Sequence, residues 1–144
     1  MCLTVKKRIM SQKVETYYKV IEIKNKEYVP IYSFQSYKYK LNVPIKAVFD
    51  GKIPRLFKKD EKIYGGYFHM FKNLEDAKTI RDMIIEDNKE FRGLFNSTQS
   101  IVVKCTVPKQ ILYYGICTVE NFVFESVCAK RIAMSFIDEK AIPG

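Results

Sequence analysis

Short runs in which apolar and polar residues alternate constrain the fold of this chain more than any other feature. The clearest run covers residues 101–107, where every second residue is apolar, as in a strand with one buried face. Its apolar positions are Ile101, Val103, Cys105 and Val107, with Lys104 and Thr106 between them. Further strand candidates are Tyr17–Ile23, Tyr28–Tyr32, Ile111–Tyr114, Phe122–Phe124 and Arg131–Ile137. Because only the polar residues 24–27 separate the first two of these, we predict a β-hairpin there.

One segment has a helical period instead. Asn73 is a favourable N-cap, and Glu75 and Asp76 place acids in the first turn, where the helix dipole favours them. Apolar residues then recur at helical spacing, and Gly93 ends the pattern. They are Ala77, Ile80, Ile84 and Phe91. We therefore predict a helix from about Leu74 to Arg92 with one face on a sheet.

These elements predict the fold class. An α+β domain with a mostly antiparallel sheet and one main helix accounts for them economically, and 144 residues suit a single domain over 1–144. The polar residues 1–15, with Lys6-Lys7-Arg8, are interpreted as an arm or an edge segment. Pro30, Pro44 and Pro54 divide the region 30–62, so any strands there are expected to be short or at edges.

The net charge of +9 is unevenly distributed along the chain. Residues 1–62 hold 15 Lys and Arg against 6 Asp and Glu, whereas residues 63–144 hold 10 against 10. Such an asymmetry attracts anionic partners: nucleic acid, phosphate-bearing ligands or an acidic protein surface. The alternative is a lysine-rich surface that is simply solvated.

The segment Tyr37-Lys38-Tyr39-Lys40 connects this charge to aromatic rings. If it is a strand, Tyr37 and Tyr39 share one face and Lys38 and Lys40 the other. Rings beside cations can stack bases and neutralise phosphates. Equally, the tyrosines could pack inward while the lysines face water, which is ordinary for a half-buried strand.

Several classes of protein are disfavoured by the sequence. No stretch approaches the roughly 18 apolar residues of a membrane helix, and the N-terminus is unlike a secretory signal, so a cytoplasmic location is expected. Cys2, Cys105, Cys117 and Cys128 lack the spacing of a redox pair or a zinc site, and the last three are expected to be buried apolar groups. We expect neither a metal nor a cofactor.

Few residues could carry catalytic chemistry. His69 is the only histidine, and alternation in 64–71 places it with Tyr67 and Phe71 opposite Phe68 and Met70. A hydrogen-bonded structural role or a ligand contact fits it better than a catalytic base. The pair Gly65-Gly66 lacks the spacing of a dinucleotide fingerprint. Glu120 and Glu125 could flank one strand, but paired carboxylates are common on surfaces.

Several short segments of the chain carry a resemblance: Met1–Thr4, Tyr18–Val20, Gly66–Phe71 with Asp76-Ala77, Ile101–Cys105 continuing to Pro108-Lys109, and Tyr113–Gly115. In these segments the chain resembles a group of small proteins from phages, prophages and gut bacteria. That group has no assigned activity. The resemblance implies a phage accessory role in the host cytoplasm, such as neutralising a host defence.

A second resemblance is carried by Gly65-Gly66-Tyr67-Phe68 followed by residues 73–77, and by residues 120–124. The first of these is similar to a strand and helix of the ADP-ribosyltransferase superfamily, and the second is similar to its glutamate-bearing strand. The resemblance implies that fold and an enzyme that uses NAD, with His69, Glu120 and Glu125 as the polar candidates. Tyr18-Lys19-Val20 lacks the histidine or arginine of the first NAD-binding strand, and Asn121 occupies the glutamate position.

Three functions follow as hypotheses. The first is a non-enzymatic binding protein of phage type for an anionic partner: a nucleotide-based signal, a nucleic acid or a host-defence protein. Its candidate contact residues are Lys19, Tyr37, Lys38, Tyr39, Lys40, Tyr67 and His69. The second is the NAD-using enzyme, and the third is a protein–protein interaction module that docks through exposed aromatic residues.

Overall fold

A computed structural model describes residues 3–30, 38–47, 56–63, 66–92 and 98–137 of the chain. Ten strands and one helix lie in this part. They are β1 (Leu3–Met10), β2 (Glu15–Lys24), β3 (Glu27–Pro30), β4 (Pro44–Lys46), β5 (Lys62–Ile63), β6 (Phe68–Phe71), α1 (Leu74–Arg92), β7 (Thr98–Val107), β8 (Ile111–Val119), β9 (Phe122–Ala129) and β10 (Arg131–Phe136). Within it, no helix is long and apolar enough to cross a membrane.

The strands form one antiparallel sheet in the order β4-β10-β7-β2-β6-β9-β8-β1-β5, with β3 paired to β2. The prediction of an α+β fold with a mostly antiparallel sheet and one main helix is therefore confirmed. The predicted hairpin is β2–β3, in which Lys24 pairs with Glu27. β4 and β5 are short and lie at the two ends of the sheet, as the prolines of region 30–62 predict.

The helix has the predicted bounds, Leu74–Arg92. Its first hydrogen bond runs from the Ala77 amide to the Asn73 carbonyl at 3.2 Å. Ala77, Ile80 and Ile84 are buried against Val20, Phe71 and Phe124 of the sheet. The Phe91 side chain and Gly93, the predicted end signal, lie outside the described residues.

The two faces of the sheet are both apolar. We call the face that bears Tyr17 the inner face and the face that carries α1 the outer face. The inner core includes Ile21, Met70, Val103 and Met134. Beyond α1, the outer face holds a third cluster, formed by Leu3, Val5, Ile63, Tyr113 and Cys128.

The sheet is strongly curled. Lys130 alone joins β9 to β10, so the ends of these strands lie at most about 7.6 Å apart. Three other strands, β6, β2 and β7, lie between β9 and β10 in the sheet. In a flat sheet, β9 and β10 would therefore be about 19 Å apart. Across the same concavity the hydroxyls of Tyr17 and Tyr114 approach to 2.8 Å. Both observations require the strands to wrap around the inner core.

Residues 3–10, interpreted from the sequence as part of an arm or an edge segment, form strand β1 inside the sheet between β8 and β5. Leu3 and Val5 are fully buried, and a bulge between Val5 and Lys7 interrupts the register with β8. The exposed cations of Lys6-Lys7-Arg8 conceal this short apolar pattern in the sequence, because the bulge shifts the alternation by one residue.

Candidate functional site

Three of the predicted contact residues meet inside the molecule. The Lys19 side chain is only 7% exposed, and its Nζ donates a hydrogen bond of 2.9 Å to the His69 carbonyl. The same Nζ lies 5.9 Å from the centre of the Tyr39 ring. Burial lowers the pKa of Lys19, and the nearby Cys105 and Cys128 thiols oppose this shift. This cluster is part of the core.

The segment around Tyr39 is not a continuous strand, since Tyr39 makes a single bridge to Tyr28. The Tyr39 side chain is buried in the inner core, where burial raises its pKa. Lys38 and Lys40 are exposed on the opposite side, and Lys38 Nζ lies 2.9 Å from a carboxylate oxygen of Glu27. Tyr37 lies outside the described residues. Of the two interpretations of this segment, the arrangement favours a tyrosine that packs inward.

The polar candidates for NAD chemistry do not share a site. His69 Nδ1 lies 3.2 Å from Cys128 Sγ on the outer face. Glu125 is three residues from Cys128 along β9, so it belongs to the opposite face. Glu120 lies in the β8–β9 turn with a φ of 54°. One substrate could not contact all three side chains in this arrangement.

The cysteines that the structure describes are buried, as predicted. Cys105, Cys117 and Cys128 are buried thiols that form no disulfide bond within the described residues. Burial raises the pKa of Cys105 to about 12, which keeps it a neutral thiol. Cys2 lies outside the described residues. No group of three or more His, Cys, Asp or Glu residues within the described ranges could hold a metal ion.

A different set of residues forms a cleft on the outer face, where β9 passes to β10. The cleft, which we call the basic cleft, has a volume of about 460 Å³. Its described lining consists of Met10, Lys46, Leu56, Tyr67, Gln110, Ile111, Tyr113, Lys130 and Arg131. Three of these residues are cations, and among the described lining residues none is acidic.

Tyr67 and Tyr113 form the aromatic wall of the basic cleft, and Phe57 packs against both of them. Phe57, Tyr67 and Tyr113 contact one another edge to face, with ring centres 5.5 to 5.7 Å apart. The Phe57 amide also donates to the Tyr113 hydroxyl at 3.3 Å. The pKa of Tyr67 is raised to about 12, mainly by burial and to a smaller extent by the neighbouring Tyr113. Tyr67 is therefore a neutral surface near physiological pH and adds no negative charge.

Hydrogen bonds to the Gln110 side chain hold the backbone that carries two of the cations. Lys130 Nζ lies 5.3 Å from the centre of the Tyr67 ring. Gln110 Oε1 accepts hydrogen bonds from the Lys130 and Arg131 amides at 2.9 and 3.0 Å, and its Nε2 donates to the Arg131 carbonyl at 2.7 Å. Lys46 stands opposite Arg131 in the β4–β10 pairing. The Gln110 side chain thereby fixes the turn that carries two of the three cations.

Tyr67 is the one predicted contact residue in this described lining. Lys46, Lys130, Arg131 and Gln110 were missed by sequence reasoning. The dipeptide Lys130-Arg131 between two apolar runs is the only trace of the site in the sequence. It could have been noticed as a tight basic turn, but nothing local places Lys46 beside it.

Comparisons with models of known protein families, with curated proteins and with solved structures gave no match for this chain.

Proposed function

We propose that this protein is a non-catalytic receptor for a small phosphorylated ligand, which it binds in the basic cleft. The observation that carries the proposal is the lining of that cleft, where three cations, Lys46, Lys130 and Arg131, line one concave site together with Tyr67. Charged hydrogen bonds of this kind contribute about 1.5–3 kcal/mol each. Arginine can bind two phosphate oxygens at once.

The shape of the site favours a small ligand over a nucleic acid. Concave sites of about 300–1,000 Å³ suit small molecules, and the basic cleft falls in this range. A nucleic-acid backbone requires a row of cations along a groove. Several cations of the first 62 residues are used elsewhere: Lys19 is buried, and Lys6 Nζ lies 2.8 Å from an Asp60 oxygen.

The resemblance to small phage and prophage proteins suggests a biological setting for this receptor. A protein that binds a phosphorylated defence signal and withholds it needs affinity and abundance but no catalytic group. We therefore propose that the chain acts as an anti-defence protein by sequestration. Under this proposal each molecule binds one ligand and releases it chemically intact.

Calorimetric titration tests the site directly. We expect inorganic pyrophosphate and nucleoside triphosphates to bind with 1:1 stoichiometry, and ligand recovered after denaturation to be unchanged. The double variant Lys46→Gln/Arg131→Gln removes two of the three cations, so its affinity should fall at least tenfold, as expected for lost charged hydrogen bonds.

The matched control is Lys24→Gln/Lys62→Gln, which removes the same net charge at two exposed positions outside the described cleft lining. This variant should bind within about twofold of the unmodified protein if the cleft is the site. Equal losses in the two variants, or no binding of any phosphate compound, would contradict the proposal. Release of nicotinamide from NAD would instead favour the enzyme hypothesis.

A further inference from the structure

A second depression adjoins the basic cleft on the outer face. We call it the apolar groove. It has a volume of about 480 Å³. Its described lining consists of Val14, Pro44, Ile45, Lys46, Thr106, Pro108, Arg131, Ile132 and Ala133. Lys46 and Arg131 line both depressions, so the two adjoin at this pair of cations.

The groove follows from the order of small and large side chains across three strands. Thr106 of β7, Ala133 of β10 and Pro44 of β4 stand side by side in the strand pairing. Ala133 is the small residue in the centre, which leaves space above it. Val14 forms a wall of the groove and is 57% exposed. In the described lining, the Thr106 hydroxyl is the only polar side-chain group besides the two cations.

We infer that the ligand carries an apolar chain next to its phosphate, so that Lys46 and Arg131 bind the phosphate while the chain lies in the apolar groove. This inference rests on the proposed function, because it uses the same cations. A phosphate monoester of an alkyl chain has the required chemistry: two negative charges at one end and carbon alone beyond them.

The composition of the groove favours a chain over a nucleobase. A base has several donors and acceptors that lose their water on binding, and each needs a partner in the site. Among its described side chains, the groove offers one neutral hydroxyl for this purpose. An alkyl chain needs no partner, and each buried methylene contributes about 0.8 kcal/mol, or about fourfold in affinity.

Titration with a series of alkyl phosphates tests the inference. Ethyl, butyl, hexyl and octyl phosphate are compared below their micelle-forming concentrations, with inorganic phosphate as the reference. We expect affinity to rise with chain length by up to about fourfold per methylene until the groove is filled. An affinity that does not change with chain length would overturn the inference.

Two variants locate the chain. Ala133→Leu fills the groove without adding charge, so it should abolish the dependence on chain length and leave pyrophosphate affinity unchanged. Val14→Ser removes an apolar wall at an exposed position, and it should reduce the increment per methylene even if the leucine variant fails to fold. A chain-length dependence that survives both substitutions places the chain elsewhere and contradicts the inference.

The outcomes separate this inference from the proposed function. If pyrophosphate binds and longer chains add nothing, the anion site stands and the inference fails. If no phosphate compound binds, the proposed function fails as well. A nucleoside monophosphate that binds more tightly than octyl phosphate would assign the groove to a base instead of a chain.

Discussion

Lys19 is an amine enclosed by the inner face of the sheet. Its Nζ has the His69 carbonyl as a hydrogen-bond acceptor and the Tyr39 ring at cation–π distance. Neither group carries a negative charge, so the protonated form of Lys19 is poorly compensated in the core. Burial accordingly lowers its pKa. In the sequence this residue looks like one more surface cation, because Tyr18-Lys19-Val20 has no feature that marks a buried lysine.

The buried amine predicts a pH dependence of stability. The unfolded chain binds a proton at Lys19 up to its ordinary pKa of 10.5, whereas the folded protein releases it at a lower pH. Between these two pKa values the unfolded state holds more protons, so stability rises with pH, by at most about 1.4 kcal/mol per pH unit. A series of urea-unfolding measurements at pH values below 9 locates this rise, and Lys19→Met should reduce it.

The chosen range avoids an opposing group. Burial raises the pKa of Cys105 from 9.0 to about 12. Above pH 9 the unfolded chain therefore releases this proton while the folded protein keeps it, and the free energy of unfolding falls as the pH rises. Below that value Lys19 dominates the difference between the two proteins. If the stability of Lys19→Met changes with pH as steeply as that of the unmodified protein, Lys19 is charged in the folded state.

At the scale of the element, a regular spacing of apolar residues predicted the bounds of a helix or strand well. Where polar residues interrupt that spacing, the predicted bounds were too short. The helix bounds agree with the prediction because the apolar positions of 74–92 keep one spacing. β9 was predicted only over Phe122–Phe124 but extends to Ala129, since the polar Glu125-Ser126 conceals the second half. Ser126 is nevertheless buried, and its hydroxyl donates to the Phe124 carbonyl at 3.3 Å. Local bonds of this kind have no signature in the apolar pattern.

The pairing of β1 with β8 depends on one glycine. A Cβ added at Gly115 would overlap the Thr4 carbonyl oxygen and lie 2.9 Å from its carbonyl carbon. Both obstacles are backbone, so β1 would have to move away from β8. We expect Gly115→Ala to lower the free energy of unfolding by about 1–3 kcal/mol or more, and to increase hydrogen exchange of the β1 amides.

Thr118→Ala provides the control for this prediction. Thr118 lies on the same strand, its side chain is exposed, and its substitution should change the free energy of unfolding by less than about 0.5 kcal/mol. Equal effects of the two substitutions would mean that β8 is sensitive to any alanine. No change in β1 exchange for Gly115→Ala would show that the strand tolerates the added methyl group.

For the molecule as a whole, long-range strand pairing decides where the charges act. Lys46 and Arg131 are far apart in sequence, yet β4 pairs with β10 and brings them together at one site. The concentration of cations in residues 1–62 directed sequence reasoning to Tyr37–Lys40, whereas the described basic cleft takes two of its three cations from the C-terminal half. Such a site could not be predicted locally, because long-range strand pairing creates it.

This distinction between local site and total charge can be tested with two ligands. Nonspecific binding of a DNA duplex of about 12 base pairs depends on the summed positive charge and weakens steeply with salt. The variants Lys46→Gln/Arg131→Gln and Lys24→Gln/Lys62→Gln each reduce the net charge of +9 by two, so both should weaken DNA binding to a similar extent. Pyrophosphate affinity should fall only in the first. If the cleft variant alone loses DNA, measured by fluorescence anisotropy over a salt series, the basic cleft belongs to a nucleic-acid interface and the small-ligand assignment is wrong.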